Sequence, residues 1–139
     1  MEPGGPTPKS KTVLIVEDHA DTAEMLVLIL QSEGYDIRTA RTAREAIKAL
    51  SSAGNSQIDL VLLDLTLPDM SGDELIEQVK QSCVSVPPVF IMSAKTVASL
   101  NDAARSIGAA GVIRKPFDIQ ALLENIEAEL GKHPRNKSK

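Results

Sequence analysis

The chain has 139 residues, 42% of them hydrophobic and 24% charged, which bounds it to one folded domain around a single core. With no Trp, only Tyr35, Phe90 and Phe117 as aromatics, and a longest apolar run of Met25–Leu30, it has neither the platforms of a base-stacking nucleic-acid binder nor a membrane span. The net charge of −4 divides into an acidic body, eighteen Asp/Glu against nine Lys/Arg over residues 12–130, and a basic end at Lys132, Arg135, Lys137 and Lys139.

Residues 1–11 are Pro/Gly-rich and polar, and read as a disordered tail, as does the basic end 131–139. The polar start lacks the apolar stretch of a secretion signal, so a cytoplasmic protein is the expectation. The basic end is read as solvated, and no direct nucleic-acid binding is expected. Between the tails, strand-like runs alternate five times with helix-like stretches.

Val13–Val16 comes first, followed by Glu17, Asp18 and a helix opened by the capping pattern Asp21-x-x-Glu24 and closed near Gly34. Ile37–Ala40 leads into a second helix, opened by Thr42-x-x-Glu45 and closed near Gly54. Leu60–Leu63 ends at Asp64, and Ser71-x-x-Glu74 opens the third helix. The lone Cys83 reads as a structural thiol before the Pro87–Pro88 turn, which introduces Val89–Met92. A fourth helix, Val97–Ile107, stops at Gly108; Val112–Ile113 then precedes Lys115, and Asp118 caps a last helix, Ile119–Leu130, ended by Gly131.

In a capping box the first side chain and the Glu satisfy orphan helix N–H groups reciprocally, and glycine commonly closes a helix. Runs that are apolar on both faces suit strands buried in a parallel sheet. Five strand–helix units with short links predict a doubly wound α/β domain over residues 12–130.

Such open sheets bind ligands in the crevice beyond the carboxyl ends of their strands. The residues standing there are Glu17, Asp18, Asp64, Ser93 and Lys115. Three converging carboxylates repel one another, and a hard cation relieves the repulsion. An oxygen-only donor set favours Mg2+ or Mn2+ over zinc. Alone, an acid pair near a helix N-terminus is ordinary, since the helix dipole favours it. Lys115 changes the balance: an ammonium among carboxylates can pair with Asp64 at rest and with a phosphoryl oxygen afterwards. Pro116 is well placed for a cis bond that turns this lysine inward. The chain holds no G-x-x-x-x-G-K-[ST], no G-x-G-x-x-G and no G-x-S-x-G, so nucleotide binding and serine-hydrolase chemistry lack their motifs. His19, beside the acids, and His133, in the tail, read as surface side chains, with a general-base role left open for His19.

Four segments together carry a resemblance: Val13-Leu14-Ile15-Val16-Glu17-Asp18, the run from Asp59 to Gly72 through Asp64, Ile91-Met92-Ser93-Ala94, and Lys115-Pro116-Phe117. In this order and spacing the chain resembles the response regulator receiver family across residues 12–130. The resemblance implies a flavodoxin-like (βα)5 fold, a five-stranded parallel sheet in the order 2-1-3-4-5. It implies that Asp64 accepts a phosphoryl group from a histidine kinase or histidine phosphotransfer protein. Glu17, Asp18, Asp64 and the backbone carbonyl of Thr66 would hold Mg2+. Ser93 would be the switch hydroxyl, Ala94 would leave room for the phosphoryl group, and Lys115 would neutralise its other side. Output would run through an unknown downstream protein partner, with no enzyme activity beyond self-phosphorylation from phosphodonors and autodephosphorylation.

Val112 departs from the family's usual Tyr or Phe, so an aromatic swing cannot report phosphorylation; the Ser93–Thr96 loop and the following helix are the expected substitute. Thr66 and Lys95 occupy positions that tune hydrolysis in the family, and neither is a water-orienting amide, which predicts a long-lived phosphoryl state. The chain reads as a single-domain regulator, with a piece of a larger hybrid kinase or multidomain regulator as the alternative. A pseudo-receiver is disfavoured by the complete acid, serine and lysine set. A haloacid-dehalogenase-type phosphatase is disfavoured by Thr66, which stands where that class carries a second aspartate.

Overall fold

A computed structural model describes residues 11–51, 58–82, 86–94 and 97–131. The tails 1–10 and 132–139, with His133, lie outside this range, as do Gly54, Cys83, Lys95 and Thr96. The chain alternates β1 (Thr12–Val16), α1 (Ala20–Ser32), β2 (Asp36–Ala40), α2 (Ala43–Ser51), β3 (Leu60–Asp64), α3 (Gly72–Ser82), β4 (Val89–Ser93), α4 (Val97–Ile107), β5 (Gly111–Arg114) and α5 (Ile119–Gly131). The strands form one sheet in the order β2-β1-β3-β4-β5, and every neighbouring pair is parallel. This is the five-stranded, doubly wound α/β architecture expected from the alternating runs.

Alternation along the strands builds two cores. Leu14, Val16, Val61, Leu63, Val89 and Ile91 face Ala43, Ala46 and Leu50 of α2, Leu75, Ile76 and Val79 of α3, and Ile107 of α4. Val13, Ile15, Leu60, Leu62, Phe90 and Met92 face Leu26 and Leu30 of α1 and Leu122, Ile126 and Leu130 of α5. The central strands β3 and β4 are buried along their whole length, whereas the edge strand β2 reaches full burial only at Ala40. Each fully buried Leu or Ile contributes about 1.5–3 kcal/mol relative to exposure, so the two layers hold the strand ends in fixed register.

Several of the described helix ends follow local chemistry, and the start of α1 does not. The Thr42 hydroxyl accepts from Glu45 N–H at 3.1 Å and the Ser71 hydroxyl from Glu74 N–H at 3.2 Å. The Asp118 carboxylate accepts from Ala121 N–H at 3.2 Å. Gly34 and Gly108 close α1 and α4 at φ +94° and +79°, a left-handed conformation that glycine adopts without penalty. The exception is α1. Its N-cap is His19, which makes no side-chain capping bond, and Asp21 lies inside the first turn. The Asp21-x-x-Glu24 capping box is therefore not formed: the helix starts earlier, and Asp21 serves only as an acid near the positive end of the dipole.

Candidate functional site

Register places the site before any side chain acts. Val16 pairs with Leu63 across β1 and β3, so Glu17 and Asp64 leave the sheet side by side. Glu17 N–H donates to Ala40 O at 3.0 Å, and Leu65 N–H donates to Met92 O at 3.1 Å. Lys115 N–H donates to Ser93 O at 2.9 Å, which fixes the lysine's backbone against the end of β4. Asp64 and Ser93 are the last residues of their strands rather than the first beyond them. Both are buried, at 1% exposure, and Glu17 is fully buried.

Glu17, Asp64 and Lys115 meet directly. Lys115 Nζ lies 2.9 Å from Glu17 Oε1 and 3.7 Å from Asp64 Oδ2. The lysine thus donates its close hydrogen bond to Glu17, with Asp64, the partner expected from the sequence, as the longer ion pair. The Lys115–Pro116 bond is cis. Burial holds the Glu17 carboxyl above its ordinary value; the Lys115 bond opposes that rise and the neighbouring Asp64 carboxylate adds to it.

Thr66 closes on Asp64 from the other side. Its N–H and its hydroxyl both donate to Asp64 Oδ1, at 3.1 and 2.9 Å. Asp64 Oδ2 is left as the one buried side-chain nitrogen or oxygen without a hydrogen bond among the described residues. A buried carboxylate oxygen in that state is costly unless a further positive or donor group approaches it. Asp18 is half-buried beside the trio. Donor atoms of Glu17, Asp18 and His19 lie within 4.8 Å of one another, and His19 N–H donates to Glu17 Oε2 at 3.3 Å. The crowded carboxylates, the raised Glu17 and the orphaned oxygen fit a hard divalent cation coordinated by oxygen.

Ala94 is exposed at the rim, next to buried Ser93. Val112, in β5, is half-buried and packs against the core beneath α2, α3 and α4. Two contributions escaped the sequence reading. His19 joins the acid pair as a third donor group. Asp69, in the loop after β3, accepts from Ala43 N–H at 2.9 Å and Arg44 N–H at 3.1 Å, tying the acceptor loop to the start of α2. Those two backbone bonds hold the Asp69 carboxyl below its ordinary value. Asp69 stands 26 residues from Ala43, so a short-range capping pattern does not show it; the signal available was α2's unsatisfied N-terminal amides.

The family model for the response regulator receiver domain matches residues 13–127. Among curated proteins, the response regulator ArlR of Staphylococcus saprophyticus is 37% identical over 124 residues, covering 88% of this chain and 54% of its own length. ArlR of Staphylococcus aureus is 36% identical over the same extent. The chain spans about half the length of the curated relatives it matches. Among solved structures, a CheY-like response regulator receiver domain protein from Methanospirillum hungatei superposes with a TM-score of 0.78 at 29% identity, over 89% of this chain and 96% of that one. Chemotaxis protein CheY4 of Vibrio cholerae gives 0.74 at 29% identity, over 86% and 98%. The chain belongs to the response regulator receiver family of two-component systems, with the flavodoxin-like fold of its CheY-like neighbours.

Proposed function

We propose that the chain is a phosphoacceptor switch in which Asp64 takes a phosphoryl group from the phosphohistidine of a kinase or phosphotransfer protein. The observation that carries this reading is the buried, hydrogen-bond-free Asp64 Oδ2, 3.7 Å from a lysine ammonium. In the transfer, a carboxylate oxygen of Asp64 forms the new O–P bond as the N–P bond of phosphohistidine breaks. The electron pair stays on the leaving imidazole nitrogen, which takes up a proton.

Glu17, Asp18, Asp64 and the Thr66 carbonyl are the groups that would hold Mg2+ or Mn2+, which would supply positive charge to the transferring phosphoryl group. This chain's own residues do the positioning. Thr66 fixes one carboxylate oxygen, which leaves the other as the reactive atom. Lys115 is placed to exchange its Glu17 and Asp64 contacts for a phosphoryl oxygen. Ser93, with Ala94 beside it, is the hydroxyl that would follow the new charge, and movement there biases the surface of α4 and β5. Output is partner binding rather than turnover of a substrate. Thr66 engages Asp64 through its hydroxyl, which offers no second carboxyl for phosphatase chemistry.

Beryllofluoride with Mg2+ mimics the phosphoryl group, and backbone amide NMR reads its binding. The expected result is shifts at Asp64, Ser93 and Lys115 in the wild type and none in Asp64→Asn. A wild type that binds no beryllofluoride contradicts the proposal.

A further inference from the structure

The first turn of α2 is capped twice. One cap is local: the Thr42 hydroxyl accepts from Glu45 N–H at 3.1 Å, Thr42 O accepts from Ala46 N–H at 3.1 Å, and the Glu45 carboxylate reaches back to Arg41 N–H at 2.9 Å. That is a complete capping box. The other cap comes from a distant part of the chain. Asp69 Oδ1 accepts from Ala43 N–H at 2.9 Å and Asp69 Oδ2 from Arg44 N–H at 3.1 Å. Both oxygens of one carboxylate are committed to the two helix amides that the local box leaves over. Residues 65–69 follow directly on Asp64, the last residue of β3. Leu65 N–H donates to Met92 O at 3.1 Å, Thr66 gives its N–H and hydroxyl to Asp64 Oδ1, and Leu67 is buried in the core that includes Ala43. Thr66 thus stands between a pin on β4 and a pin on α2. Thr66 itself is exposed, so its position comes from those pins more than from packing around it.

We propose that Asp69 is a positioning residue for phosphoryl transfer at Asp64: by fastening the acceptor loop to the first turn of α2, it sets where Thr66 presents its amide, hydroxyl and carbonyl. The inference rests on the reading of Asp64 as the acceptor, and adds to it a residue that touches neither the phosphoryl group nor a cation. Small errors of placement are costly in such transfers, where positioning and charge compensation supply most of the catalysis. The coupling also runs both ways. A group added at Asp64 that redirects the Thr66 bonds shifts the Asp69 contacts, and whatever strengthens those contacts favours the added group to the same degree. α2, which packs against β2 and β1, thereby senses the acceptor on the side of the sheet away from α4, which packs against β4 and β5. A plain helix cap is the competing account, and Thr42 separates the two, since its hydroxyl caps the same turn from within α2's own box.

Wild type, Asp69→Ala, Asp69→Asn and Thr42→Ala are compared as full chains, at a temperature where circular dichroism shows all four folded. Backbone amide NMR measures beryllofluoride affinity in the presence of Mg2+ and follows the Ala43 and Arg44 signals. Intact-mass spectrometry reads the rate of phosphoryl uptake from acetyl phosphate. The expected result is a fall of about fivefold or more in beryllofluoride affinity for Asp69→Ala, the lower end of ordinary coupling between sites, because Leu67 still anchors the loop. The uptake rate should fall with it. Asp69→Asn, which keeps one acceptor oxygen, should recover part of both losses. Thr42→Ala, which weakens the helix start alone, should keep the wild-type affinity and rate. At saturating beryllofluoride the Ala43 and Arg44 amides should move in the wild type and in Thr42→Ala, and stay still in Asp69→Ala although Ser93 responds. Wild-type affinity and rate in Asp69→Ala, or losses of equal size in Asp69→Ala and Thr42→Ala, overturn this inference and leave Asp64 as the acceptor. A wild type that neither binds beryllofluoride nor takes up a phosphoryl group overturns both.

Discussion

Replacing Lys115 with Met keeps the length of the stem and removes the charge. The structure sets the cost. The lysine gives Glu17 a 2.9 Å charge-assisted hydrogen bond and stands 3.7 Å from Asp64, and both carboxylates are at most 1% exposed. Breaking a buried ion pair costs about 3–5 kcal/mol, because an uncompensated charge remains. Lys115 is itself 22% exposed, so the net loss falls below that range, at about 2–3 kcal/mol, close to the value of a hydrogen bond to a charged group. At about 4 °C per kcal/mol for a domain of this size, Tm drops by about 8–12 °C.

The loss should depend on pH. Glu17 already has a folded-state pKa above its unfolded value of 4.5. Its contribution is therefore fully present below 4.5 and is lost as pH rises through the folded pKa. Removing Lys115 deletes the group that opposes that rise, so the variant should be most damaged at neutral pH and should recover as Glu17 takes up a proton. Urea and thermal unfolding at neutral pH and near pH 5 measure both effects. A Tm drop under about 2 °C, or an equal drop at both pH values, refutes the assignment of Lys115 as the counter-charge of the buried pair.

Thr66→Val removes the 2.9 Å hydroxyl bond to Asp64 Oδ1 but keeps the backbone one; urea unfolding should show a loss of about 1 kcal/mol. Asp69→Ala strips the cap from Ala43 and Arg44 N–H, so its urea midpoint at neutral pH should fall below the wild type's. Because the folded Asp69 pKa is depressed below 3.8, its contribution is present above that value, and the gap between variant and wild type should narrow as pH falls through the folded pKa. Gly111→Ala should destabilise by about 1–3 kcal/mol, as over-packed cores do, since a Cβ there stands 2.9 Å from the Phe90 ring; an unchanged thermal midpoint would show that the ring yields without cost.

Much of this was legible in the sequence because it depends on residues near one another along the chain. Val13–Val16 and Leu60–Leu63 alternate faces inside a doubly covered sheet, so their apolar runs announced buried parallel strands. Thr42, Ser71 and Asp118 sit next to the amides they cap. Strand ends told where Glu17, Asp64, Ser93 and Lys115 would gather, since a parallel sheet delivers every carboxyl end to one edge. What the sequence hid was set by packing across the chain. Lys115 chooses Glu17 over Asp64 for its close contact through a contact 98 residues away in sequence. Asp69 reaches α2 across 26 residues. The start of α1 at Ala20 displaced an otherwise well-formed capping pattern, and local propensity gave way to where β1 ends.

The central claim is that Asp64 is the phosphoryl acceptor, and intact-mass spectrometry of the chain incubated with Mg2+ and a small phosphodonor tests it most directly. The wild type should gain the mass of one phosphoryl group, and Asp64→Asn should gain none. A wild type that stays unmodified, or an Asp64→Asn variant that gains the same mass, contradicts it.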